Sequence, residues 1–136
     1  MSSRSQEPDD LLIIDDHPGE IRLIEEIVET ADIETTLYIA SDKEEARDII
    51  HQPGEYDADL RPDAILLDWN LEKGTAREVL TEIKDTLPHT SVAIMTSAKH
   101  QKEKIQSEGP QADMYFTKPD SPQGYIDAIY EIPAEE

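Results

Sequence analysis

AILLDWNLEKGTAREVLTEIKDTLPHTSVAIMT, residues 64–96, holds two apolar runs on either side of a helical pattern. AILLD at 64–68 and SVAIMT at 91–96 are nearly continuous in apolar residues, as strands covered on both faces of a parallel sheet are. Between them Val79, Leu80, Ile83 and Leu87 recur at helical spacing over 75–87, and Pro88 closes the pattern. A strand, a helix and a second strand of this kind form a parallel crossover. The first strand ends on Asp68, a carboxylate placed where the apolar pattern expects burial.

The same reading extends in both directions. LLIID at 11–15, TTLYIA at 35–40 and ADMYF at 112–116 are read as further strands. Residues 18–31 carry Ile21, Ile24, Ile27 and Val28 at helical spacing behind Pro18, while Ser41 and Glu44 read as a capping box opening a helix to about Ile50. Helices over about 98–108 and 122–131 complete five strand–helix units. Strict alternation predicts an α/β fold, a doubly wound five-stranded parallel sheet in the flavodoxin-like order 2-1-3-4-5. No internal repeat occurs, and the longest linker is QPGEYDADLRP at 52–62. One domain over residues 10–132 is expected, with 1–9 and 133–136 as short flexible termini.

Composition narrows the function classes. Thirty-two acidic against twelve basic residues give a formal charge of −20, which repels nucleic acid phosphates and anionic membrane surfaces, so no nucleic acid and no membrane partner is expected. The chain has no cysteine, hence no disulfide scaffold or thiol chemistry. No apolar stretch approaches the roughly 20 residues that span a bilayer, and MSSRSQEPDD at the start lacks a signal-peptide core, so a cytoplasmic location is expected. A surplus of carboxylate on a folded core suits a salt-rich cytoplasm, an expectation of a halophilic source.

Three short stretches carry the chemistry: DDHP at 15–18, LLDWN at 66–70 and TKP at 117–119. Each follows an apolar run, so in one parallel sheet their side chains converge at its carboxyl edge, where open α/β sheets place their sites. Asp15 and Asp16 repel one another, and a hard divalent ion, usually Mg²⁺ beside phosphate, would relieve them; the plainer reading is a turn and a helix cap before Pro18. Asp68 has the position of a nucleophile like that of aspartyl-phosphate enzymes, or of an aspartate bonding the next loop amides. Thr96 has a hydroxyl to offer a phosphoryl oxygen, and Lys118 an ammonium to balance the carboxylates. The Lys118–Pro119 bond is open to the cis isomer.

From about residue 10 to 131, the chain resembles the receiver domain of two-component response regulators. The order DD, D, T, K-P on successive strand ends carries the likeness. The blocks IIDDHPGEIRLIEE, ILLDWNLEKGTAREVLTEIK and ADMYFTKP are most similar to the stand-alone regulators associated with phytochrome-type sensor kinases. The chain stops five residues after its last predicted helix, so no output domain is expected. The resemblance implies that Asp68 accepts a phosphoryl group from the phosphohistidine of a sensor histidine kinase. It implies direct Mg²⁺ contact for Asp16 and Asp68, mainly water-mediated contact for Asp15, and a ligand from the Asn70 backbone carbonyl. Thr96 and Lys118 would hold the phosphoryl oxygens, and Tyr115 matches the aromatic switch that moves when Thr96 turns. The protein would then be a signalling receiver with self-catalysed phosphoryl transfer and autodephosphorylation, and not an enzyme on an external substrate. Two positions depart from the family pattern: Glu72 stands for the usual proline and Ala76 for the usual glycine, while Gly74 lies nearby. Asn70 and Ala98 occupy positions that tune dephosphorylation.

Lys99, His100, Lys102 and Lys104 make the predicted helix at 98–108 basic within a very acidic chain. That suggests an acidic partner or a homodimer through this helix, against the plain reading of a solvated face. The chief rival to phosphorylation is a pseudo-receiver that docks without it. A dehalogenase-type phosphatase needs an Asp-x-Asp motif on its first strand, and here His17 follows Asp15–Asp16. A nucleotide carrier needs a glycine-rich loop that is missing after the first strand. His17 lies beside the site and can tune it electrostatically, while His51, His89 and His100 form no metal triad.

Overall fold

The computed structural model describes residues 8–51, 62–71, 75–97 and 112–133. In chain order these form β1 (Asp10–Ile14), α1 (Pro18–Thr30), β2 (Thr36–Ala40), α2 (Lys43–His51), β3 (Ala64–Asp68), α3 (Thr75–Thr86), β4 (Ser91–Thr96), β5 (Met114–Thr117) and α4 (Pro122–Glu131). All strand pairings are parallel, in the order β2-β1-β3-β4-β5, as the alternating pattern predicts. The predicted helix at 98–108, with its basic residues and Ala98, lies outside the described residues, as do Glu72, Gly74 and most of the 52–62 linker.

Strand alternation sorts the apolar residues onto two faces. Leu12, Ile14, Ile65, Leu67, Val92 and Ile94 pack with Ile49 and Ile50 of α2 and Val79, Leu80 and Ile83 of α3. Leu11, Ile13, Leu66, Ala93 and Met95 pack with Ile24 and Ile27 of α1 and Tyr125 and Ile129 of α4. Every residue of β3 and β4 is buried, which is why these runs are continuously apolar instead of alternating with polar residues.

Register places the strand ends. Ile14 is level with Leu67, Asp68 with Met95, and Thr96 with Thr117. Asp15, Asp68, Thr96 and Lys118 therefore lie side by side along one edge.

Local details differ from the sequence expectation. The α2 cap is one residue later than the Ser41–Glu44 pair: Glu45 N–H donates to Asp42 Oδ1 at 2.8 Å, and Glu45 reaches back to the Ser41 N–H and hydroxyl at 2.7 and 2.9 Å. Aspartate and serine cap about equally well, and here the helix starts on the later of the two, Asp42. β5 starts at Met114, not at 112, because Asp113 is held aside by its own bonds to the Val92 backbone at 2.8 and 2.9 Å. The Lys118–Pro119 bond is not cis; Lys118 is placed instead by its N–H, which donates to the Thr96 carbonyl at 2.7 Å. Ala76, in place of a glycine, is buried against the α2–α3 side of the core.

Candidate functional site

The turn after β1 is tight. His17 N–H donates to Asp15 Oδ1 at 2.8 Å, an Asx-type bond that folds the chain into α1 with Pro18 in its first turn. This bond points Asp15 inward, and its side chain is fully buried. Asp68 is also fully buried, and its Oδ1 accepts the Asn70 N–H at 2.9 Å, so the loop after β3 wraps its own carboxylate. The bond expected of a plain loop aspartate is thus present. What sets Asp68 apart is the charge around it.

Lys118 and His17 meet these carboxylates. Lys118 Nζ lies 3.3 Å from Asp68 Oδ1 and 2.8 Å from Glu20 Oε2. His17 Nδ1 lies 3.0 Å from Asp15 Oδ1, 3.1 Å from Asp16 Oδ1 and 3.1 Å from Asp68 Oδ2. With three aspartate oxygens around it, Nδ1 is assigned as the ring nitrogen that donates. Asp15, His17, Glu20 and Asp68 offer ligand atoms that all lie within 4.8 Å of one another.

Lys118 and His17 do not satisfy the pocket. Asp15 Oδ2, Asp16 Oδ1, Glu20 Oε1 and Asn70 Oδ1 are buried atoms without a hydrogen-bond partner; Asp16 Oδ1 feels the charge of His17 without a bonding alignment. Burial, reinforced by the neighbouring carboxylates of Glu20 and Asp68, pushes Asp15 up to about 8 against the lowering effect of the His17 amide. Its hydrogen bond to Asp15 raises His17, outweighing desolvation. Burial alone would raise Glu20, but its interactions with Asp15 and with the Lys118 ammonium outweigh it and hold Glu20 low. Burial would likewise lower Lys118, and Glu20 with Asp68 reverses that and raises it. A cluster of buried oxygens short of donors fits a hard divalent cation, which takes carboxylate and carbonyl oxygen ligands. Asp15 and Asp68, whose ligand atoms lie within 4.8 Å of one another, could hold one, with Asp16 and the Asn70 loop beside them.

The edge thus brings together Asp15, Asp16, Asp68, Asn70, Thr96 and Lys118. Thr96 is fully buried at the end of β4. Tyr115 is half-buried in β5 opposite Ile94, two residues before Thr96, and its hydroxyl accepts the Ala112 N–H at 3.2 Å. Glu20 is the residue sequence reasoning missed, since an acidic side chain in the first turn of a helix is commonplace. Its spacing of one helical turn from Asp16 was the available signal.

The family model of the response regulator receiver domain matches residues 11–130. The chain belongs to that family. Among known relatives, this receiver is 36% identical over 120 residues to the response regulator Rcp1 of Synechocystis sp., covering 87% of this chain and 82% of that protein. A crystal structure of the Mn²⁺-bound form of Rcp1 superposes with a TM-score of 0.71 at 32% identity, covering 90% of each chain. The phosphorylated cyanobacterial phytochrome response regulator RcpA gives a TM-score of 0.73 at 30% identity, with 90% of this receiver and 89% of that chain covered. Among the described residues, no helix is long and apolar enough to cross a membrane.

Proposed function

We propose that this receiver takes a phosphoryl group on Asp68 from the phosphohistidine of a sensor histidine kinase, one of the phytochrome type, in a Mg²⁺-dependent relay, and passes the signal on through a partner-binding face. The supporting observation is the contact of Lys118 Nζ with buried Asp68 Oδ1 inside a cluster of carboxylates at the sheet edge. An Asp68 oxygen forms the new P–O bond as the P–N bond of the donor breaks. The electron pair leaves with the donor imidazole, which then takes a proton from solvent.

Phosphoryl transfer needs mainly positioning and charge neutralisation. Lys118 balances Asp68 beforehand and the phosphoryl oxygens afterwards, and the Asn70 amide fixes the orientation of the nucleophile. Bound Mg²⁺ supplies further neutralisation of the phosphoryl charge, held by Asp15, Asp16, Asp68 and the Asn70 carbonyl. The Thr96 hydroxyl turns to a phosphoryl oxygen, and Tyr115 follows into the space it leaves; that is the switch. The RcpA and Rcp1 likeness supports both the kinase class and a divalent ion.

Mixing the receiver with an autophosphorylated phytochrome-type kinase tests this. Label should pass from the kinase to wild type and not to Asp68→Asn. Equal labelling of both, or of neither while the kinase keeps its label, would refute the proposal.

A further inference from the structure

Glu20 has no part in the phosphoryl site as its motifs define it, yet its two oxygens are placed within that site. Oε2 lies 2.8 Å from Lys118 Nζ, nearer than the 3.3 Å from that ammonium to Asp68. Oε1 is buried and lacks a hydrogen-bond partner, as does Oδ2 of the fully buried Asp15. The ligand atoms of Asp15 and Glu20 lie within 4.8 Å of one another, so the two carboxylates repel across the site. Lys118 offsets Glu20 Oε2 and His17 offsets Asp15 Oδ1, which leaves Glu20 Oε1 and Asp15 Oδ2 without a partner for the water they have lost. A cation reconciles them, and Asp68 offers a further ligand atom within the same 4.8 Å.

We infer that Glu20 is a further carboxylate of the divalent-cation site, facing Asp15 on one side and Lys118 on the other. This rests on the reading of the edge as a cation-assisted phosphoryl site. Hard divalent ions favour oxygen donors and gain affinity from added carboxylate charge. Glu20 contributes that charge from the first turn of α1, which is anchored by Pro18 and by the His17 carbonyl accepting the Glu20 and Ile21 N–H groups at 3.0 and 3.1 Å. The same side chain keeps Lys118 beside Asp68 before any phosphoryl group arrives. Ion binding and lysine position are thereby joined through one residue.

The test is Mn²⁺ titration followed by the electron paramagnetic resonance of the free ion, with no phosphoryl donor present. Glu20→Gln should bind Mn²⁺ roughly tenfold or more weakly than wild type. Glu25→Gln, an exposed neighbour on the same helix that removes the same charge, should bind as wild type does. Wild-type affinity in Glu20→Gln, or an equal loss in Glu25→Gln, would overturn the inference. Because no donor is used, a wild-type chain that binds Mn²⁺ in a Glu20-dependent way but is never phosphorylated would defeat the proposed function alone.

Discussion

Replacing Asp15 by asparagine should make the metal-free protein more stable, although it removes a residue of the site. Asp15 is fully buried, its Oδ2 lacks a partner, and its carboxyl is pushed up from 3.8 to about 8, chiefly by burial. Between those values the folded chain holds a proton that the unfolded chain has released, so stability falls as pH rises through that window. At pH 7.5 most of this cost is in force, a ceiling of about 5 kcal/mol at roughly 1.4 kcal/mol per tenfold step. Half-exposed His17 and the Lys118 ammonium screen part of it, leaving about 2–4 kcal/mol. The asparagine side chain keeps the acceptor for the His17 amide and places N–H donors where Glu20 Oε1 has none. At about 3 °C per kcal/mol for a chain of this size, the melting temperature in EDTA should rise by roughly 6–12 °C at pH 7.5. The gain should shrink by half or more at pH 5.5, where wild-type Asp15 costs less. A variant that melts at or below wild type at pH 7.5, or a gain that does not depend on pH, would refute the reasoning.

His17→Ala removes the nitrogen that fills the point between Asp15, Asp16 and Asp68. Divalent affinity should tighten by about threefold to tenfold, read by calorimetric titration with Mg²⁺, whereas unchanged or weaker binding would mean the imidazole does not compete. Gly124→Ala would drive a Cβ into Pro119 Cβ, forcing apart the first turn of α4 and the residue that follows Lys118. About 1–3 kcal/mol of stability should be lost in urea denaturation, together with slower acyl-phosphate labelling; a wild-type midpoint would show that the turn yields freely.

The sheet was legible because β1, β3 and β4 are buried on both faces, so their apolar runs are unbroken and each ends on a residue that matters: Asp15 just beyond Ile14, Asp68 and Thr96. Parallel pairing then needs no further information to align those ends. What stayed hidden depends on side-chain choices that a linear pattern does not encode. Asp42 outcompeted Ser41 for the α2 cap because both are good caps one residue apart. Asp113 trimmed β5 by bonding sideways to Val92, a partner 21 residues away. Glu20 escaped because its place beside Asp15 and Lys118 arises only when α1 returns across the sheet edge to β5's end. The place of His17 beside the site was legible from its position in DDHP, but that its Nδ1 lies within 3.1 Å of all three aspartates was not.

Intact mass after incubation with Mg²⁺ and a small acyl phosphate tests the central claim most directly, with Asp68→Asn and an EDTA sample alongside. Wild type with Mg²⁺ should gain the mass of one phosphoryl group, and neither the variant nor the EDTA sample should. No gain in wild type, or an equal gain in Asp68→Asn, would contradict the assignment of Asp68 as the phosphoryl acceptor.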